Sequence, residues 1–497
     1  MKVTLISPYL EIYSVGPRII SSVLKQEGIP VQMLFLPQDF HHVFSENNLN
    51  DIVALVKDSD IVGISLMSNQ FTRVAQLTRA IRARTGCFVV WGGIHPTAAP
   101  EQSLEHVDAI CIGEGEESFR ELVQKIQRGE DVFTTRGFWF RKKGRIIRND
   151  VRPLIKDLDS LPYPDYTYDE QLLFDNDRIS TFTLQSLKKH LSNIYLTLAS
   201  RGCPFSCAYC CNDMLKKLYG SAALYRRRSL PHLIGELREI REKLPFVTQM
   251  HFEDDLFLVA HEDVIREFCG TYSRTIGLPF TVGGIAPGTI NDAKLRMLVD
   301  AGLLHVRMGI QSTSEHMARL YNRKLSKPQI TETIQLFQRF RKELTTPYYD
   351  FILDSPWETI DDRIDSLRFF ATIPKPFKMN LFSLTFYPGT SLYARAKEEG
   401  LISDEEKDVY SKNYTFLKHT FTNALYYFLY CNSYLPLRIK NCILNKKLIE
   451  FMEKRPALGK ISFMAAKCQY LVMEGLQDIF SGRLWRIAKF FQIRKIG

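Results

Sequence analysis

The chain has 497 residues, 45% of them apolar and 24% charged, which is longer than one hydrophobic core usually sustains and too balanced for a disordered or fibrous protein. Its net charge of +10 is concentrated: from Leu417 to the C-terminus there are fourteen Lys and Arg against four Asp and Glu, an excess equal to that of the whole chain. No run reaches the roughly 18 uninterrupted apolar residues of a membrane span, and the ten cysteines read as thiols or metal ligands of a cytoplasmic protein rather than a disulfide framework.

The opening MKVTLISPYLEIYSV lacks a small-residue cleavage site and reads as a first strand, not a signal peptide. Over residues 1–136 the runs KVTLISPY, VQMLFLP, IVGISLMS, CFVVWGG and AICIGEG alternate with helical stretches such as Arg18 to Gly28 and Phe71 to Thr85. Apolar runs without polar alternation are strands buried on both faces, so the pattern predicts a doubly wound parallel sheet. Ligands of such sheets bind beyond the carboxyl ends of the strands, where Ser7, Pro8, Ser65, Gly92, Gly93 and the segment Gly113-Glu114-Gly115-Glu116 collect. None of these is a full dinucleotide fingerprint, and taken alone each glycine also fits a simple turn.

Residues 137–190 read as a hairpin followed by a Pro- and Asp-rich interdomain linker. Over 191–400, six strand-like runs (NIYLTLAS, TQMHFEDD, FTVGGI, HVRMGIQS, YYDFILD and NLFSLTFYP) alternate with helices and predict a partial (β/α)6 TIM-like barrel. Polar residues close these strands at Glu253, Asp254, Asp255, Gln311, Ser312 and Asp354, and in a barrel that end carries the chemistry. Residues 401–497, rich in Tyr, Phe, Lys and Arg, read as an α-helical extension.

Cys203, Cys207 and Cys210 form a C-x3-C-x2-C segment directly after the first barrel strand. Three thiolates on one loop suit a [4Fe-4S] cluster with one iron left open. A structural zinc site would need a fourth ligand, and Cys211, next in sequence, is expected to point in a different direction from Cys210.

This loop resembles that of the radical S-adenosylmethionine superfamily, in which the open iron chelates S-adenosylmethionine and one electron splits it to a 5′-deoxyadenosyl radical. The resemblance implies that Tyr209 lies beside the adenine. It also implies that Glu253 and Asp254 accept from the methionine amino group, and that Gln311, Ser312 and Ile352 stand on strands touching ribose and adenine. Tyr387-Pro388-Gly389-Thr390 resembles the last-strand turn. One segment departs from the pattern: Asp354-Ser355-Pro356-Trp357-Glu358-Thr359 has Asp and Trp where relatives have glycine. The N-terminal half is similar to the Rossmann-like cobalamin-binding domain of one branch of the superfamily. Ser7, Pro8, Ser65, Gly92, Gly93, Ile94, His95 and Gly113 to Glu116 would then face the corrinoid. No D-x-H-x-x-G is present, so histidine-free binding is expected, and His95 is also readable as a turn histidine.

The function implied is methylation of an unactivated carbon of a small-molecule or lipid-like substrate through methylcobalamin. A radical cyclisation or rearrangement without net methyl transfer is the alternative within the branch; a non-catalytic iron-sulfur binding or electron-transfer protein is the third. An external one-electron donor of flavodoxin or ferredoxin type is expected, nucleic acid is not. On a helix Leu484, Ile487, Ala488 and Phe491 would share one face flanked by cations, which suits peripheral membrane contact as well as packing on the barrel.

Overall fold

The computed structural model describes residues 1–480 apart from Phe40 and residues 221–224, with side chains described to residue 476; the amphipathic segment expected around Leu484 to Phe491 lies outside the described residues. Five parallel strands open the chain: β1 (Val3–Ser7), β2 (Val31–Phe35), β3 (Ile61–Ser65), β4 (Phe88–Gly92) and β5 (Ala109–Cys111), in the order β5-β4-β3-β1-β2. Val3 pairs with both Val31 and Ile61 in parallel register. All five residues of β1 are buried, because helices cover both faces and leave no polar side.

The stretch expected as a linker does more than connect. β6 (Phe138–Lys142) and β7 (Arg145–Arg148) add an antiparallel hairpin to β5, while β8 (Leu172–Asp175) and β9 (Arg178–Thr181) extend the opposite edge beyond β2, completing nine strands. Phe138 and Phe140 point inward at 0% exposure, a period-two burial too short to stand out among the neighbouring prolines and charges. The connector is pinned by Arg18, fully buried, which donates to the Asp165 carbonyl (2.6 Å) and to Gln171 Oε1 (2.7 Å). Its guanidinium lies between the rings of Phe35 (4.5 Å) and Tyr166 (4.0 Å).

The second sheet is the expected partial barrel. Its strands are β10 (Ile194–Thr197), then, past a two-stranded ladder of β11 (Ser200–Arg201) and β12 (Arg226–Arg227), β13 (Gln249–Phe252), β14 (Phe280–Ile285), β15 (Leu303–Gln311), β16 (Tyr348–Leu353) and β17 (Lys378–Ser383). The six barrel strands lie in chain order and are all parallel. The β11/β12 ladder is antiparallel and ties together the two ends of the cysteine segment. The chain then turns helical, at Phe421–Cys431, Leu437–Ile443, Lys446–Glu453 and Pro456–Phe480. The first of these seats Tyr426 against Phe351 and Phe370 (5.9 and 5.1 Å between rings). Among the described residues no helix is long and apolar enough to cross a membrane.

Candidate functional site

The carboxyl ends of both sheets open into one cavity of about 440 Å³. The N-terminal domain lines it with Ser65, Gly92, Gly93, Ile94 and Gly113 to Glu116, and the barrel with Ser200 to Gly202, Asn212, Glu253 and Asp255. Two glycines here are compulsory. Gly93 and Gly113 have φ of +95° and +79°, and a Cβ would come within 2.9 Å of the Leu66 carbonyl oxygen or 1.7 Å of the Tyr219 hydroxyl. Gly16, also on the wall, would send a Cβ into open space, so at these glycines the wall is bare backbone.

Three residues expected to face the corrinoid do not line this cavity. Ser7 is buried and its hydroxyl pairs with that of Ser14; the Pro8 carbonyl accepts from Arg73. His95, at 0% exposure, lies against the rings of Phe71 (4.9 Å) and Tyr410 (5.6 Å), with Nδ1 3.1 Å from Ser68 Oγ and Nε2 buried without a partner. Burial pushes its pKa down to about 4. His95 is a core histidine, because Gly93 turns the chain and the helix Ile94–Ala98 carries its side chain away from the strand ends.

Glu114 and Glu116 line the cavity, but their carboxylates are taken by arginines. Arg201 reaches Glu114 at 3.0 Å and Glu116 at 2.6 Å, and Arg226 reaches Glu114 at 2.8 Å. Burial works to raise the Glu114 carboxyl, yet the Arg226 hydrogen bond and the two guanidinium charges hold it below the usual range. The Glu114 amide donates to the Tyr219 hydroxyl (2.9 Å), at the far end of the helix Cys211–Tyr219 that begins beside Cys210. The glycine-rich loop of one domain is thus stapled to both ends of the cysteine segment of the other. Sequence patterning gave no hint of Arg201 and Arg226: their partners are more than 80 residues away.

Cys203, Cys207 and Cys210 are partly exposed free thiols, the donor set a [4Fe-4S] cluster takes. A hydrogen bond from Cys211 lowers the Cys210 thiol, which the Asn212 amide also favours as thiolate. Arg323 donates to the Tyr209 hydroxyl (2.7 Å) and the Gly309 carbonyl (2.8 Å), with Cys207 Sγ 3.9 Å away. Tyr209 and Ile352 meet in one apolar cluster with Leu384 and Phe386. Gln311 has φ +68° and its Oε1 is buried without a partner, an orphaned acceptor at the end of β15 that fits a hydroxyl-bearing ligand. Ser312 instead faces the hydroxyl of Ser366 (3.4 Å).

The acidic strand end splits in two. Glu253 is half-exposed in the cavity and its carboxyl is lowered chiefly by the hydrogen bond with His251. Asp254 points the other way: it is 2% exposed and accepts from the Ala199 amide (3.1 Å) and the Ser200 hydroxyl, and burial raises its pKa to about 6. Asp254 therefore fastens the segment after β13 to the start of β11 and does not line the cavity, which corrects the expectation that it accepts from the methionine amino group. Asp255, next along, returns to the cavity and accepts from Asn212 (3.0 Å). Asp354, at a position where the family resemblance leads to an expected glycine, adopts φ +63° itself, held by the Lys418 amide (3.0 Å) and the Asn423 side chain (2.7 Å).

The B12 binding domain model matches residues 1–123 and the Radical SAM superfamily model residues 197–370. An uncharacterized methyltransferase of Pyrococcus horikoshii is 25% identical over 362 residues, 71% of this chain and 73% of its own. The bacteriochlorophyllide d C-8(2)-methyltransferase of Chlorobaculum tepidum is 24% identical over 395 residues, 77% and 78% of the two chains. In fold the chain is similar to the cobalamin-dependent S-adenosylmethionine radical enzyme OxsB, solved with aqua-cobalamin and S-adenosylmethionine bound. The TM-score is 0.65 at 15% identity, over 99% of this chain and 75% of that one. With both family models matched in order along one chain, and their two sheets opening into one cavity, the chain belongs to the cobalamin-dependent radical S-adenosylmethionine enzymes.

Proposed function

We propose that this enzyme methylates an unactivated carbon of a small molecule. The observation that carries the reading is the shared cavity, which lets a methyl carrier held by the first sheet and a radical source held by the second act on one substrate. When bound, the cluster and S-adenosylmethionine supply the radical that removes a hydrogen atom, and cobalamin supplies the methyl group.

In this reading Cys203, Cys207 and Cys210 hold three irons of the cluster, and Glu253 with Asp255 accepts from the methionine ammonium. Gln311, Tyr209 and Ile352 flank the adenosyl group. Ser65, Gly92 to Ile94, Gly113 and Gly115 bear on the corrinoid, and Glu114 and Glu116 act one step back by fixing the distance between the two loops. Two relatives matched over more than 70% of both chains are named methyltransferases, whereas anaerobic magnesium-protoporphyrin IX monomethyl ester cyclases match at 23–25% identity over only 50–65% of their own length, and this fuller coverage favours methyl transfer over cyclisation. The test is growth of cells with and without the gene on methyl-labelled methionine, followed by mass spectrometry of small-molecule extracts. A gene-dependent compound carrying one labelled methyl group is expected; a gene-dependent but unlabelled, rearranged compound would establish the cyclase reading instead.

A further inference from the structure

The helix Pro456–Phe480 is apolar on two opposite faces. Its inner face buries Phe463 and seats Tyr470 against Tyr427 and Tyr430, with rings 5.2 and 5.4 Å apart. Its outer face carries Ile461, Met464, Cys468, Val472 and Leu476, at helical offsets of about 0, 3, 7, 11 and 15, which fall in one stripe. That stripe is open: Ile461 is 65% exposed, Met464 54%, Val472 63% and Leu476 48%. The neighbouring helix Lys446–Glu453 adds exposed Leu448 and Phe451, so that ten of the nineteen large hydrophobics exposed among the described residues lie between Tyr434 and Leu476. A concentration of this kind marks an interaction surface.

The charge around the stripe selects its partner. From Tyr434 to the C-terminus the sequence has thirteen Lys and Arg against four Asp and Glu. Two of those acids are tied inward: Glu453 accepts from the Thr422 amide (2.8 Å), and Glu474 pairs with Lys378. The sequence running on from the stripe, residues 481–497, contributes Arg483, Arg486, Lys489, Arg494 and Lys495 and no acid. A second copy of the chain would bring cations against cations, and a nucleic acid would leave the apolar stripe in water. An anionic bilayer surface offers acyl chains to the stripe and phosphate to its cationic rim.

We propose that the outer face of the helix Pro456–Phe480, with Leu448 and Phe451 beside it, docks the enzyme on an anionic phospholipid surface. The helix lies in the headgroup plane, because at 25 residues it is long enough but not apolar enough to cross. Docking is independent of the reaction catalysed.

The experiment is co-sedimentation of the full-length holoenzyme with phosphatidylglycerol/phosphatidylcholine vesicles and with pure phosphatidylcholine vesicles, each at low and high salt. The bound fraction is expected to be about fivefold or more higher on the anionic vesicles and to fall with salt. The triple variant Ile461→Ser, Met464→Ser, Val472→Ser should lose most of that binding while keeping its iron and cobalamin content, and truncation after Phe480 should weaken binding without abolishing it. Equal binding by wild type and the triple variant overturns the proposal. So does no binding by the wild type, and so does a stripe-dependent dimer seen by light scattering in place of vesicle binding.

Discussion

Arg201 holds Glu114 at 3.0 Å with one guanidinium nitrogen and Glu116 at 2.6 Å with the other, joining the two cofactor-bearing domains through a single side chain immediately before the cysteine segment. Glu116 is 5% exposed at its side chain, so removing the arginine strands a buried charge. Arg201→Met should cost about 3–5 kcal/mol of stability, read as a lowered Tm, and should weaken cobalamin uptake about tenfold while the cysteines still take up iron. Unchanged Tm and unchanged cobalamin titration would show that the staple does not position the loops.

Anaerobically reconstituted Cys203→Ala, Cys207→Ala and Cys210→Ala should each lack the cluster's charge-transfer absorbance and iron, while Cys211→Ala keeps both. Iron and sulfide analysis checks this, and retention of a full cluster in Cys207→Ala would contradict it.

Neighbouring acids should separate by experiment. Glu253→Gln should leave the Tm near wild type but weaken S-adenosylmethionine binding by about tenfold in calorimetric titration, as loss of a charge-assisted hydrogen bond does. Asp254→Asn should leave that affinity intact and cost about 1–3 kcal/mol of stability, because the amide turns a donor toward the Ala199 N–H or the Ser200 hydroxyl.

His95 makes stability depend on pH. Its folded pKa is about 4 against about 6.5 unfolded, so on acidification the unfolded state takes up its proton first. Stability is constant above about pH 6.5 and falls between there and pH 4, by about 3 kcal/mol in total. His95→Phe should flatten that slope relative to wild type, measured as the difference in unfolding free energy across the range, and should leave cobalamin binding unchanged. The spin-resonance spectrum of bound cob(II)alamin should show no nitrogen coupling from a protein histidine in either protein.

All eleven main parallel strands were legible because each is a short, mostly apolar run ending near Gly, Ser, Pro or Asp and separated from the next by a helical stretch, and the cysteine segment was legible because its spacing is local. What stayed hidden has non-local causes. Arg201, Arg226 and Tyr219 read as ordinary residues until folding sets them against Glu114. Asp254 and Glu253 are indistinguishable in sequence, and only the partners brought up from Ala199 and Ser200 separate the buried acid from the one that lines the cavity. His95 sits within a glycine-rich segment whose flanks do face the cavity, and only the turn at Gly93 separates it from them.

The two hairpins at the margins of the nine-stranded sheet bear on how this chain can be divided. β6 satisfies the outer backbone groups of β5, and β8 those of β2; both hairpins lie downstream of the segment that resembles a complete cobalamin module. A fragment ending near residue 136 would carry two raw sheet margins, open to pairing with other chains, and would have lost Asp165 and Gln171 as partners for the buried Arg18. Such a fragment should precipitate, whereas one continuing past Thr181 should stay in solution. The module as inherited is therefore longer than its recognisable motif, and gene fusions or excisions that respect only the motif would break it.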